Sequence, residues 1–162
     1  MSDKPTPLRE QLIRNIHDAA RERQQREPLY DSVCGSVTRG TAAKQLGAGI
    51  DEVAPGKRSC PYHYHLVEEE MFIVLEGSGT LRVAGEMLPV HAGDLIVIPA
   101  GPAYPHQLIN TSDAVMKYLS ISTQSPTEMC FYPDSGKVGA YGPGVKLMQR
   151  PQDKLDYWDG EP

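Results

Sequence analysis

Two histidines one residue apart, His63 and His65, are the strongest chemical signal in this 162-residue chain. Neutral imidazole is a good ligand for first-row divalent metals. Side chains two apart on a strand share a face, so both imidazoles point the same way. Glu70 follows after four residues, enough chain to turn and open a neighbouring strand with a carboxylate beside the pair. A third imidazole, His106, begins a later predicted strand. Three imidazoles and one carboxylate suit one divalent transition metal (Mn, Fe, Zn, Ni or Co) with open positions for a substrate. Alone, the His pair would read as a surface pair, and Glu68-Glu69-Glu70 as a solvated turn. The stretch around His106 is what gives the set its weight. Cys60, three residues before His63, is a possible soft ligand, but the set is complete without it. His17 and His91 fall outside the pattern.

The elements that must position these groups read mostly as strands. From about residue 33, short apolar runs alternate with Gly, Pro, Asp and Asn at the spacing of an all-β sandwich or barrel. Predicted strands cover 44–46, 49–53, 62–66, 70–75, 80–83, 86–89, 95–98, 106–109 and 115–121, with short additions at 129–132 and 137–138. Phe72 and Val74 share the parity of Glu70 and should line the interior near the metal. Met71, Ile73 and Leu75 face the other way, so this strand is covered on both sides, which supports a homodimer. Ahead of the strands, Leu8, Leu12, Ile16 and Ala19 recur at helical spacing. They predict an amphipathic helix, with Thr6 as N-cap, Pro7 at the first position and Pro28 at its end. Residues 1–30 thus form a helical arm and residues 31–162 the β-domain.

Composition excludes several classes. Sixteen Lys and Arg against 21 Asp and Glu give a net charge of −5, which argues against nucleic acid as partner. No apolar run approaches the roughly 18 residues needed to cross a bilayer. The charged N-terminus does not read as a secretory signal. Three cysteines, an odd and low number, are expected as reduced thiols, and a cytoplasmic location follows.

The motifs resemble those of the cupin superfamily. The first runs Gly56, six residues, His63-Tyr64-His65, four residues, Glu70, six residues, Gly77; the second runs Gly93, five residues, Pro99-Ala100-Gly101, four residues, His106, three residues, Asn110. Fifteen residues lie between Gly77 and Gly93, which suits small microbial cupins. The chain is one residue longer than the family pattern before His63 and two longer before His106. Both additions fall in loops ahead of a ligand. The resemblance covers about residues 45–125 and implies a jelly-roll barrel (a double-stranded β-helix) holding the metal on His63, His65, Glu70 and His106. PYHYH, EEMF and YPDSGKV resemble a group of small bacterial cupins labelled sugar-phosphate isomerases by analogy of fold, a warrant weaker than a site.

Three functions remain open. A metal could bind a small oxygen-rich substrate and assist isomerisation through an enediolate, but no non-ligand acid or histidine stands out as the general base. An Fe(II) centre could support dioxygenation if Phe72, Val74, Ile96, Ile98 and Ile109 form apolar walls. The barrel could also bind or sense a small molecule without turnover. Phe72, Tyr104 and Gln107 are candidate substrate contacts. Lys57, Arg58, Arg82 and Lys117 could meet an anionic substrate, although solvated surface charge is the commoner role for such residues.

Overall fold

The computed structural model describes residues 6–151 and 155–161. Its strands are β1 (Glu22–Arg26), β2 (Tyr30–Ser36), β3 (Leu46–Val53), β4 (Tyr64–His65), β5 (Glu70–Glu76), β6 (Ser78–Val83), β7 (Glu86–His91), β8 (Leu95–Ile98), β9 (His106–Ile109), β10 (Met116–Thr123), β11 (Glu128–Tyr132), β12 (Lys137–Gly142) and β13 (Val145–Gln149). One sheet has the order β1-β2-β3-β10-β5-β8. Two smaller sheets, β13-β12-β11-β4 and β7-β6-β9, are joined where His63 and His106 face each other as an antiparallel bridge. Every pairing within the sheets is antiparallel.

Alternation along the strands builds the core. Val53, Phe72, Val74, Ile98, Met116 and Tyr118 from the large sheet pack with Leu81, Val90 and Leu108 from the other wall. Full burial of one such aliphatic side chain contributes about 1.5–3 kcal/mol. Two turns require glycine. Gly77 has φ 80° and Gly93 φ 97°, in the left-handed region that side chains with a Cβ disfavour. At Gly77 a Cβ would also meet the Val115 carbonyl oxygen at 2.6 Å.

The N-terminal helix is shorter than its periodicity predicts. It spans only α1 (Leu8–Leu12), its N-cap is Pro7 without a side-chain cap, and Thr6 does not fill that role. Asn15 instead caps a 3-10 turn over Ile16–Asp18, its Oδ1 accepting from the His17 amide at 2.9 Å. Beyond it the chain becomes β1, paired with β2 from Glu22 opposite Cys34 to Arg26 opposite Tyr30. The reason is a competition between local pattern and tertiary pairing. The apolar stripe finds no surface, with Leu8, Leu12 and Ile13 all exposed, and an unsupported short helix is marginal in water. The sheet edge offers β1 a full ladder, and side-chain ties reinforce it. Arg23 grips Asp31 with two hydrogen bonds of 2.8 and 2.7 Å, and Arg21 pairs with Glu52. At the other end, Tyr157 and Trp158 lie exposed in a turn.

Candidate metal centre

The interior face of the large sheet is organised in rows. Glu70, Phe72 and Val74 on β5 lie opposite Ser122, Ser120 and Tyr118 on β10. Those three lie opposite Gly47, Gly49 and Asp51 on β3. Glu70 therefore sits at the end of a row of small and polar residues. From the other wall, His63 and His106 are brought together by their backbones. The His63 amide donates to the His106 carbonyl at 3.1 Å, and the His106 amide donates back at 2.8 Å. Such a reciprocally bonded pair sets the two residues side by side. His65 follows two residues on, held by pairing with Cys130 on β11.

The three imidazoles converge on one carboxylate oxygen. Glu70 Oε2 lies 2.8 Å from His106 Nε2 and 3.7 Å from the Nε2 atoms of both His63 and His65. The opposite ring nitrogens of two of them are anchored: His63 Nδ1 lies 2.9 Å from the Pro61 carbonyl and His106 Nδ1 3.2 Å from that of Tyr104. A proton on Nδ1 donating to a carbonyl leaves Nε2 as a free lone pair, the arrangement that metal-binding histidines use. The third, His65, has Nδ1 4.0 Å from Glu128 Oε1.

Charge and burial fit the same picture. Burial pushes the His63 imidazole down to about 4, with the neighbouring His106 adding to it, so His63 is neutral near pH 7. Burial opposes the charged form of Glu70, but the three imidazoles outweigh it and hold its carboxyl below the ordinary value. Glu70 Oε2 and His106 Nε2 are both buried without a hydrogen-bond partner; their 2.8 Å approach lacks hydrogen-bond geometry. A buried oxygen and nitrogen left in this state are costly, and a divalent ion on these donors would satisfy both. The donor set fits a metal.

The structure brings together His63, His65, Glu70 and His106, and it seats Phe72 beside them, its ring 5.6 Å from that of His106. Tyr104 is exposed. Gln107 is fully buried, with its amide donating to the Cys60 carbonyl at 2.8 Å. Neither lines the adjoining cavity. Cys60, whose thiol burial pushes up to about 12, stays protonated.

Sequence reasoning missed three residues. Cys130 comes close enough for its sulfur and donors of His63 and His65 to lie within 4.8 Å of one another, and burial pushes its thiol up to about 11. Glu128 is buried and accepts from the amides of Leu66, Val67, Glu68 and Met129, fixing the loop between His65 and Glu70. Asp51 receives a hydrogen bond from Ser120 Oγ at 3.1 Å. The parity of residues 49–53 could have placed Asp51 on the interior face. Nothing local signals the other two, which arrive through the pairing of β11 with β4.

Glu70 also borders a cavity of about 500 Å³. Its polar lining includes Gln24, Ser36, Asp51, Ser120 and Ser122. Gly47 and Gly49 keep its floor low, since a Cβ at Gly49 would sit 3.0 Å from Ser120 Oγ. The cavity is thus a hydroxyl-, amide- and carboxylate-lined space that reaches the candidate metal donors through Glu70 alone.

Comparison with known proteins agrees with this architecture. Residues 49–122 match the Cupin domain family. Auxin-binding protein 1 of Arabidopsis thaliana is 34% identical over 133 residues, covering 76% of this chain and 64% of that protein. The chain therefore spans less than two thirds of that relative. Auxin-binding protein 5 of Zea mays is 30% identical over 118 residues, 67% of this chain and 75% of that protein. Among solved structures, a protein of Acidithiobacillus ferrooxidans, named for a proposed sugar phosphate isomerase activity, superposes with a TM-score of 0.81 at 25% identity, over 93% of this chain and 98% of that one. No helix among the described residues is long and apolar enough to cross a membrane. With the two histidine motifs, the antiparallel barrel and these relatives in agreement, the chain belongs to the cupin superfamily.

Proposed function

We propose that the protein is a metal-dependent enzyme that isomerises a small hydroxy-carbonyl compound of the sugar or sugar-phosphate class. His63, His65, Glu70 and His106 are the ligands in this reading. The observation that carries it is the convergence of three Nε2 atoms on a buried, unbonded Glu70 oxygen at the wall of a polar cavity. A divalent ion on these donors supplies Lewis-acid polarisation of a carbonyl. The chain's own residues bind and orient the substrate. Glu70 and the three imidazoles orient the site. Ser36, Ser120, Ser122 and Gln24 offer donors and acceptors to substrate hydroxyls.

The polar lining favours a hydroxylated substrate over the apolar one that the dioxygenase reading requires. Phe72, Val74 and Ile98, expected as walls of that apolar pocket, belong to the packed core. The name of the Acidithiobacillus neighbour points the same way. A second reading has its own support: relatives named for binding auxin favour a small-molecule-binding module without turnover.

Elemental analysis of protein purified without a His tag should find one divalent ion per chain. His63→Ala combined with His65→Ala should lose it while the barrel still folds by circular dichroism. One equivalent retained in that double variant would place the site elsewhere. On the loaded protein, solvent deuterium should enter carbon next to the carbonyl of aldose or ketose phosphates. Tight ligand binding without any such exchange would replace the isomerase reading by the binding module.

A further inference from the structure

We propose that the N-terminal segment builds an anion subsite next to the metal cavity, one that takes the phosphoryl group of the substrate. The proposal rests on the isomerase reading for the other end of that substrate. A second cavity of about 380 Å³ lies between the segment and the turn after β2. It shares Ala20, Ser36 and Arg39 with the cavity beside Glu70, so the two adjoin and line up as a trough. Three arginines border the second cavity, Arg9, Arg14 and Arg39, against a single acid, Asp18. None of the three is in an ion pair among the described residues.

Five other cations are already committed to carboxylates. Lys57 bonds Glu27, Arg82 bonds Asp134, and Lys117 bonds Glu52 and Glu76. Arg21 and Arg23 tie β1 to the sheet. Arg14 is held in place without being neutralised, its guanidinium donating to the carbonyls of Gly40 at 3.1 Å and Ile13 at 3.2 Å, and to that of Glu10. A fixed guanidinium bordering the same cavity as two others, none of them ion-paired, is a phosphate-type donor set, because the planar fork matches phosphate oxygens in pairs. Charge also gives the trough a direction. The metal cavity carries Glu22, Asp51 and Glu70 with Arg39 as its only cation. A dianion would be repelled from its depth and drawn to the Arg39 side. A phosphorylated hydroxy-carbonyl compound fits this polarity, with its polyol portion on the serines and its phosphate on the arginines.

Inorganic phosphate is the probe, titrated calorimetrically into EDTA-stripped full-length protein. Wild type should bind it with a millimolar Kd. Arg9→Gln combined with Arg39→Gln, both exposed positions where substitution leaves folding intact, should weaken binding at least tenfold. The His63→Ala and His65→Ala variant should bind phosphate as wild type does. Three outcomes would each overturn the subsite: no phosphate binding by wild type, binding that survives loss of the two arginines, or binding that disappears with the histidine pair. Wild type that binds phosphate on the arginines but takes up no metal would overturn the isomerase reading alone, and wild type that holds one metal but binds no phosphate would overturn the subsite alone.

Discussion

Among single residues, Asp51 is where burial has the clearest consequence. Burial pushes its carboxyl up to about 6, against a hydrogen bond from Ser120 that lowers it. An unfolded aspartate has a value of about 3.9. Between about pH 4 and pH 6 the folded state therefore holds a proton that the unfolded state has released. Stability from this group falls as pH rises through that window, by about 3 kcal/mol when complete. Asp51→Asn removes the titration. In urea unfolding, the variant should gain on wild type by about 3 kcal/mol between pH 4 and pH 8. A difference that does not change with pH would mean that the carboxylate is solvated in the cavity. At this scale the four candidate donors were legible because residue type and motif spacing carry the information, although Glu70 enters from the opposite wall and not from a strand beside the His pair. Asp51 was legible only in parity, and its burial is a property of the sheet around it.

At the level of elements, the loop joining β4 to β5 has the tightest tolerance, since it sets His65 against Glu70. Its three successive amides, from Leu66, Val67 and Glu68, all donate to the Glu128 carboxylate. Glu128→Gln would place an amide NH2 against one or more of these donors. Leaving a buried donor unsatisfied costs about 1–3 kcal/mol, so the metal-free variant should be destabilised by that amount in urea. Because this loop positions His65, and Glu128 Oε1 stands 4.0 Å from a His65 Nδ1 that has no hydrogen-bond partner, the variant should also bind zinc more weakly, read by competition with a chromophoric chelator. Unchanged zinc affinity in a destabilised variant would confine Glu128 to holding the loop. Strands were legible wherever apolar runs met glycine turns: Leu95–Ile98 and His106–Ile109 have the predicted ends. Strands β1, β2 and β13 escaped notice: every residue of β1 and β13 is exposed, and β2, YDSVCGS, buries Asp31 and Ser32 with no apolar alternation to read. ERQQR has no alternation to read, and only the waiting edge of β2 makes it a strand.

For the whole molecule, the donors span the barrel. Glu70 belongs to the six-stranded sheet, whereas His65 and His106 belong to strands of the opposite wall, with His63 at the bridge between its two halves. An ion on all four ties the walls together at a point where metal-free protein leaves Glu70 Oε2 and His106 Nε2 unsatisfied. The unfolded chain does not hold His106 and Glu70 against the His63–His65 pair, so binding favours the folded state. Free metal at a hundredfold above Kd then adds about 2.7 kcal/mol, which for a domain of this size raises Tm by about 5–10 °C. Zinc added to EDTA-stripped wild type should produce that increase in calorimetry, and Glu70→Gln should reduce it to near zero. An equal increase in both proteins would mean that the ion holds the chain somewhere other than between the two walls, and the barrel's interior carboxylate would need another explanation.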